Sequence, residues 1–265
     1  MTDANAHGMV KASIVARPPL RWRYRGYPLK RTLDVLGSLT LGVFLAPLIL
    51  TVAALIWRQD GGPIFYRSER MRAPERPFIL WKFRTMRPAP DDSGVSGGDK
   101  AGRITRTGRM LRRMRLDELP QLWNVFRGDM SFVGPRPPLR RYVEDFPELY
   151  AEVLRVKPGI TGLATLVFFP TEERLLRACE SPTETDSVYA RRCVPRKARL
   201  DRVYASHQNI WFDFWLMVTT VRRSLPLSPG RLRPRGKRGP GRSKSARARQ
   251  DALFKESNQV VFRQF

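Results

Sequence analysis

The amino-acid sequence predicts an α+β protein, in which a membrane re-entrant helix hairpin is followed by a mainly helical cytoplasmic domain with short strands and interfacial amphipathic helices. Three observations lead to this prediction. Residues 35–57 form a run of 23 residues without a charge. Two short segments after this run have the composition of strands, and the arginine-rich residues 106–116 have apolar side chains at helical spacing.

The uncharged run is long enough for a helix that enters or crosses a membrane. About 20 apolar residues cross a ~30 Å hydrocarbon layer as a helix, so its length permits a full span. Two features instead favour a helix that dips into one leaflet and returns. Basic residues flank the run on both sides, which would keep both ends cytoplasmic, and Pro47, preceded by Ala46, tends to kink a helix near the middle. A kinked spanning helix is the alternative.

The chain is strongly basic. It has 265 residues, with 49 Lys and Arg against 24 Asp and Glu, and a formal net charge of +25 at pH 7. This excess argues against a soluble enzyme for neutral substrates and indicates an anionic partner: nucleic acid, an anionic membrane surface or a phosphorylated substrate. Composition alone does not distinguish these three kinds of partner, so the positions of the charges in the sequence have to be considered.

Composition also suggests how the chain is divided. We predict a basic N-terminal extension at residues 1–28, a re-entrant membrane helix at 29–58, a cytoplasmic domain at 59–224 and a basic disordered tail at 225–265. The tail is rich in Pro, Gly, Ser and Arg, and such a segment buries too little apolar area to fold. Cys179 and Cys193 form neither a disulfide framework nor a metal-binding spacing, so we expect free thiols.

Two acids stand at a predicted helix junction. The helix over residues 106–116 should end before Pro120, because the residue before a proline is pushed out of helical geometry. Asp117 and Glu118 therefore lie between two helices and beside several arginines. Nearby positive charge favours the ionised form of both carboxyls. The alternative is a helix N-terminus that merely carries acids.

Cations are placed at two further points. Residues 78–86 read as a strand in which Lys82 and Arg84 share a face, either aimed at one spot or exposed on an edge strand. Residues 128–138 form a loop framed by Gly and Pro. Prolines on both sides fix the backbone of Arg136, so its guanidinium can grip a phosphate bidentately. A pinned surface arginine is the alternative.

Taken in order, these segments resemble the bacterial sugar transferase family, the monotopic polyprenyl-phosphate phosphoglycosyl transferases, in their small-membered type. The motifs are residues 82–86 (KFRTM), 116–121 (LDELPQ), 124–125 (NV), 128–137 (GDMSFVGPRP) and 158–162 (PGITG). The resemblance extends over about residues 28–224. It weakens after Gly162, in the segment on which the choice of sugar is expected to depend.

The resemblance implies a reaction. A sugar 1-phosphate would pass from a nucleoside diphosphate sugar, usually a UDP-sugar, to undecaprenyl phosphate, with release of UMP. Asp117 would be the nucleophile that forms a covalent phosphosugar intermediate, and Glu118 would ligate Mg²⁺. The product would initiate exopolysaccharide, capsule, O-antigen or glycoconjugate synthesis at the bacterial inner membrane, with the catalytic domain on the cytoplasmic face.

The expected substrate-binding residues are Lys82, Arg84, Arg112, Asp129 and Arg136, with Arg112 and Arg136 on phosphate or nucleotide. The expected partners are undecaprenyl phosphate, the UDP-sugar and anionic inner-membrane lipid. No nucleic acid is expected, and a homodimer is left open. Two other functions compete with this one: a membrane-tethered nucleic-acid-binding protein, suggested by the net charge, and a catalytically silent scaffold of the same fold.

Overall fold

Residues 24–88 and 98–224 are described in the computed structural model of the protein, and they form a mixed structure in which helices predominate over strands. The predicted class, α+β and mainly helical, is confirmed for this part. Residues 1–23, residues 89–97 and the predicted basic tail at 225–265 lie outside the described residues. What the sequence predicts for those segments stays a prediction.

The uncharged run forms two helices, α1 (Lys30–Phe44) and α2 (Ala46–Asp60), which we call the bent helix pair. They meet at Leu45 and are bent by 61°. Pro47 lies in the first turn of α2, where its missing N–H is not needed and its fixed φ suits a helix start. Pro47 therefore begins a second helix. Within the described ranges no single helix is long and apolar enough to cross a membrane, whereas the pair together meets those criteria.

Polar side chains fasten the start of α1 to the rest of the fold. Lys30 forms an ion pair with Asp213 and donates a hydrogen bond to the Tyr204 hydroxyl (3.2 Å), which in turn donates to Asp213 (2.7 Å). One turn later, Asp34 accepts a hydrogen bond from Ser131 Oγ (2.9 Å). All five side chains belong to buried residues. The first turns of α1 are thus part of the domain core.

In the described part of the chain, four strands form two small sheets. Both predicted strands are present, and they pair as an antiparallel hairpin of β1 (Phe65–Ala73) and β2 (Arg76–Phe83), in which β1 extends well beyond the strand-like residues 63–66. The parallel pair of β3 (Ser131–Val133) and β4 (Gly159–Thr161) lies in segments that the sequence indicated only as loops. Two loop backbones approach closely here, since a Cβ on Gly134 would lie 2.1 Å from the carbonyl oxygen of Lys157. No other residue type fits at that position.

The remaining helices complete the domain. They are α3 (Arg106–Met114), α4 (Gln121–Arg127), α5 (Arg140–Asp145), α6 (Pro147–Val153), α7 (Leu163–Arg177), α8 (Pro182–Val188), α9 (Val194–His207) and α10 (Ile210–Ser224). The core lies between α7, α9 and α10 on one side and between α5, α6 and α9 on the other. α10 buries Phe212 and Leu216 but leaves Trp211 75% exposed, so it carries an apolar stripe on the outside.

Candidate active site

A tight turn positions the two adjacent acids, which we call the dyad. Thr105 caps the start of α3 by accepting a hydrogen bond from its backbone. The helix ends at Arg115, which has a φ of 56° and is the one non-glycine residue in the described chain with a positive φ. This conformation costs roughly 1–3 kcal/mol, and such strain is concentrated at functional sites. It leads into the short helix Leu116–Glu118, so the dyad lies at the predicted junction.

Glu118 is the anchor of this turn. It is only 8% exposed, and its Oε1 accepts hydrogen bonds from Lys82 Nζ (3.3 Å) and from both terminal nitrogens of Arg136 (3.2 Å each). Its Oε2 accepts from Arg115 (2.7 Å). Burial alone would raise the pKa of Glu118, but Lys82, Arg136 and Arg115 outweigh burial and hold that pKa well below its usual range. Glu118 is a fixed negative centre that gathers three cations.

Asp117 has a different environment. Its side chain is half-buried and accepts no hydrogen bond from any described residue. Burial and the neighbouring Glu118 raise its pKa, while Lys82, Arg112 and Arg115 oppose that rise. The carboxylate oxygens therefore stay available, and they face a site in which cations can hold an anionic reactant.

The charges at the dyad do not balance. Lys82, Arg112, Arg115 and Arg136 surround the two acids, and Arg70 lies near Lys82 and Arg136. Burial and the nearby Arg136 lower the pKa of Lys82 to about 8 and that of Arg70 to about 10, as expected where cations crowd together away from water. The excess of positive charge makes this a site for an anion.

Sequence reasoning missed Arg70 and Arg115. Arg70 was counted among the cations that flank the uncharged run, and Arg115 among those of the amphipathic helix. Arg115 stands three residues before Glu118, a spacing at which side chains on a helical turn meet. The sequence therefore contains a signal for the ion pair between Arg115 and Glu118. Arg70 reaches the site only through the β1–β2 hairpin, which no local pattern reveals.

Of the other predicted residues, Arg112 lies near Asp117 and donates a hydrogen bond to Thr85 Oγ1 (2.8 Å).

Arg84 is buried and donates to backbone carbonyls at the end of α2 (2.7 and 2.8 Å). The expectation that Lys82 and Arg84 aim at one spot is corrected, because those carbonyls capture the Arg84 guanidinium. Asp129 pairs with Arg72 (3.1 Å) and has no contact with the dyad.

The dyad can be tested for its fit to Mg²⁺. Within residues 24–88 and 98–224, no group of three or more His, Cys, Asp or Glu side chains is placed to hold a metal ion. Both oxygens of Glu118 are already engaged by cations. In this arrangement a metal ion at Glu118 would compete with the three cationic partners for the carboxylate oxygens.

A wide apolar groove adjoins the dyad. Its volume is about 640 Å³. It lies between the bent helix pair, the β1–β2 hairpin and α4, and Leu119 and Pro120, which directly follow Glu118, form part of its wall. Further lining residues are Ser38, Leu39, Gly42, Val43, Ala46, Ile49, Phe65, Trp81, Leu122, Trp123 and Phe126. A charged site and an apolar groove side by side suit an amphiphile with an anionic head.

Comparison with known proteins agrees with this geometry. The family model described as bacterial sugar transferase matches residues 25–226. A UDP-glucose:undecaprenyl-phosphate glucose-1-phosphate transferase of Caulobacter vibrioides is 37% identical over 199 residues, which cover 72% of this chain and 68% of that protein. An uncharacterized sugar transferase EpsL of Bacillus subtilis is 41% identical over 138 residues, which cover 52% of this chain and 68% of that protein.

A third relative differs in its sugar and its length. It is the UDP-N-acetylgalactosamine-undecaprenyl-phosphate N-acetylgalactosaminephosphotransferase of Aeromonas hydrophila, 37% identical over 145 residues. The match covers 52% of this chain and 34% of that protein, so this chain spans about a third of its length. Since the family model covers most of the chain, the chain belongs to the bacterial sugar transferase family.

Proposed function

We propose that the protein transfers a sugar 1-phosphate from a UDP-sugar to undecaprenyl phosphate and releases UMP. The observation that carries this proposal is the dyad itself, in which an unbonded Asp117 stands beside an excess of cations. Membership in the family and the reactions named for its relatives support the same class of reaction. The sugar differs among these relatives, so it is left open here.

The reaction takes two steps on the same phosphorus. A carboxylate oxygen of Asp117 attacks the phosphorus that bears the sugar, the bond from that phosphorus to the bridging oxygen breaks, and UMP leaves with this oxygen. A phosphate oxygen of undecaprenyl phosphate then attacks the phosphosugar on Asp117. The carboxylate is restored, and the product is a lipid-linked diphosphate sugar.

The cations stabilise charge during both steps. Arg136 and Lys82 are held on Glu118, so their positions are fixed before substrate arrives. Preorganised donors around a transferring phosphoryl group lower its barrier, because they do not have to reorient during the reaction. Arg112 and Arg115 add to the positive field at Asp117. We assign Glu118 the role of positioning these cations.

Mg²⁺ is the proposed cofactor, and when bound it would neutralise phosphoryl charge. The ion keeps several waters and commonly uses one or two carboxylates together with substrate phosphates. Because Glu118 is engaged, the donor's phosphates would have to supply ligands. Neither step above requires Glu118 to hold the ion.

The apolar groove and the bent helix pair serve the lipid substrate in this proposal. Large apolar side chains are exposed along the pair: Leu36, Leu39, Val43, Phe44, Leu50 and Trp57. An exposed apolar surface of this extent is typical of a membrane contact. We place the pair in the inner leaflet with the dyad at the cytoplasmic face, where the groove receives the polyprenyl chain and nearby arginines meet anionic lipid.

A direct assay tests the proposed function. The purified protein is mixed with undecaprenyl phosphate, Mg²⁺ and each member of a panel of UDP-sugars, and UMP is measured. Release of UMP with at least one sugar, dependent on the acceptor for turnover, is the expected result. If no sugar gives UMP above background, the catalytically silent scaffold becomes the better explanation.

A further inference from the structure

A second, smaller cavity borders the dyad through Arg136. Its volume is about 40 Å³, and its polar walls include Arg70, Arg136, Tyr150, Tyr189, Lys197 and Asp201. The reaction steps described above leave Lys197 and Asp201 without a role. Because Arg136 also donates to Glu118, this cavity lies beside the dyad, where the proposed function places the reacting phosphate.

Asp201 is the exceptional residue in this cavity. It is 7% exposed, and no described residue donates a hydrogen bond to its carboxylate. Lys197, one turn earlier on α9, uses its Nζ on Glu172 (2.8 Å) and on the Tyr189 hydroxyl (3.2 Å). Burial raises the pKa of Asp201 to about 7, with only Lys197 opposing. Buried polar groups in native proteins are nearly always hydrogen-bonded, so an unbonded carboxylate in a cavity indicates a ligand.

The cavity also has cationic lining residues. Arg70 donates through Nε to Ser68 Oγ (3.2 Å), and within the described chain its guanidinium has no acidic partner. Arg136 has Glu118 as its acidic partner. A ligand that satisfies both kinds of lining residue carries an anionic group toward Arg70 and Arg136 and a hydrogen-bond donor toward Asp201. A phosphate that bears hydroxyl groups has this chemistry.

We propose that this cavity is the subsite for the transferred sugar, where Arg70 and Arg136 hold the sugar-bearing phosphate and Asp201 accepts a hydrogen bond from a sugar hydroxyl. The assignment rests on the proposed function. A cavity of about 40 Å³ takes one polar edge of a hexose and is too small for a nucleoside. Asp201 thereby becomes a residue that selects among sugars.

The test combines Asp201→Asn with donor analogues that each lack one sugar hydroxyl. For the wild-type protein, kcat/KM should fall about 10- to 100-fold with the one analogue whose missing hydroxyl faces Asp201, as expected when a hydrogen bond to a charged group is lost. Asp201→Asn should show a similar loss with the complete sugar and should no longer distinguish that analogue. The inhibition constant of UMP should stay unchanged. Glu152→Gln, an exposed carboxylate on α6, is the matched control and should match wild type.

Binding measurements separate this inference from the proposed function. In an Asp117→Asn background, Asp201→Asn and, independently, Arg70→Gln should each weaken UDP-sugar binding by at least about tenfold without weakening UMP. This comparison needs no turnover. Equal weakening of UMP and UDP-sugar would place the uridine half in the cavity and overturn the inference, as would unchanged affinity in both variants. Failure of the wild-type protein to release UMP would refute the proposed function alone.

Discussion

Two buried charged clusters in this molecule differ in how their charges are matched. In the Lys30 cluster, made of Tyr27, Lys30, Tyr204 and Asp213, one cation meets one carboxylate, and both hydroxyls donate hydrogen bonds to Asp213. At the dyad, by contrast, the cations outnumber the acids, and Asp117 accepts no hydrogen bond from the described chain.

This difference separates a structural cluster from a reactive one. The Lys30 cluster is complete without a ligand, and it ties α1 to α10. The dyad is incomplete without an anion, since its cations are in excess, and burial together with the repulsion from Arg136 lowers the pKa of Lys82 and Arg70. Buried charge is therefore informative about function when it is unbalanced. The predictions below change one cluster at a time.

The largest effect is expected at Asp117. Asp117→Asn removes the proposed nucleophile and should reduce UMP release at least about a thousandfold, the scale of losing a nucleophile in other covalent enzymes. Thermal unfolding should be unchanged or shifted upward, because no bond in the described structure is lost. Comparable UMP release by the variant would contradict the assignment of the nucleophile.

The reverse pattern is expected at the Lys30 cluster. Asp213→Asn leaves Lys30 buried without its counter-charge and should lower the free energy of unfolding by about 3–5 kcal/mol. The kcat/KM per folded molecule should stay within about twofold, because the hydrogen bonds of this cluster join its own four residues and do not reach the dyad. Denaturant unfolding followed by circular dichroism measures the first quantity. As control, Glu173→Gln, in an exposed pair with Arg177, should cost at most about 1 kcal/mol.

Asp201 links stability to pH. Its pKa is about 7 in the folded protein, against the ordinary value of 3.8 for an aspartate exposed to water, so the folded state holds a proton that the unfolded state has lost. Stability therefore falls as pH rises from about 4 to about 7. Asp201→Asn removes this penalty: its advantage over wild type should be absent near pH 4 and grow to at most about 4 kcal/mol above pH 7. Unfolding measured across this pH range, with no pH-dependent difference, would refute the account of Asp201.

A smaller effect is expected at Glu118. Glu118→Gln loosens Lys82, Arg115 and Arg136 together and should reduce kcat/KM by about 10- to 100-fold, in line with the loss caused by misplaced catalytic groups. The Mg²⁺ concentration for half-maximal rate should not change, because Glu118 acts by positioning. A large rise in that concentration would instead favour the metal-ligand role that the family resemblance implies.

Local patterns in the sequence predicted much of the fold and part of the site. The uncharged run broken at Pro47 predicted two arms, strand composition predicted the β1–β2 hairpin, and Pro120 predicted the junction that holds the dyad. Each depends on residues that are close in the chain. Lys82 and Arg136 also followed from local context, and the structure brings both to Glu118.

The features that the sequence did not predict depend on contacts between residues far apart in the chain. Strand alternation predicted that Lys82 and Arg84 share a face, but carbonyls at the end of α2 bind Arg84. Asp201 lines the same cavity as Arg70 and Tyr150, which come from distant parts of the chain. The short parallel pair of β3 and β4 also needs two loops to meet before either has a strand partner.

The central claim is that Asp117 is the carboxylate that receives the phosphosugar. The most direct test is the intact mass of the protein after incubation with UDP-sugar and Mg²⁺ in the absence of undecaprenyl phosphate. We predict a mass increase equal to one sugar 1-phosphate group that maps to Asp117, is absent in Asp117→Asn and disappears when the acceptor is added. An unmodified mass in a preparation that releases UMP upon addition of the acceptor would contradict the claim.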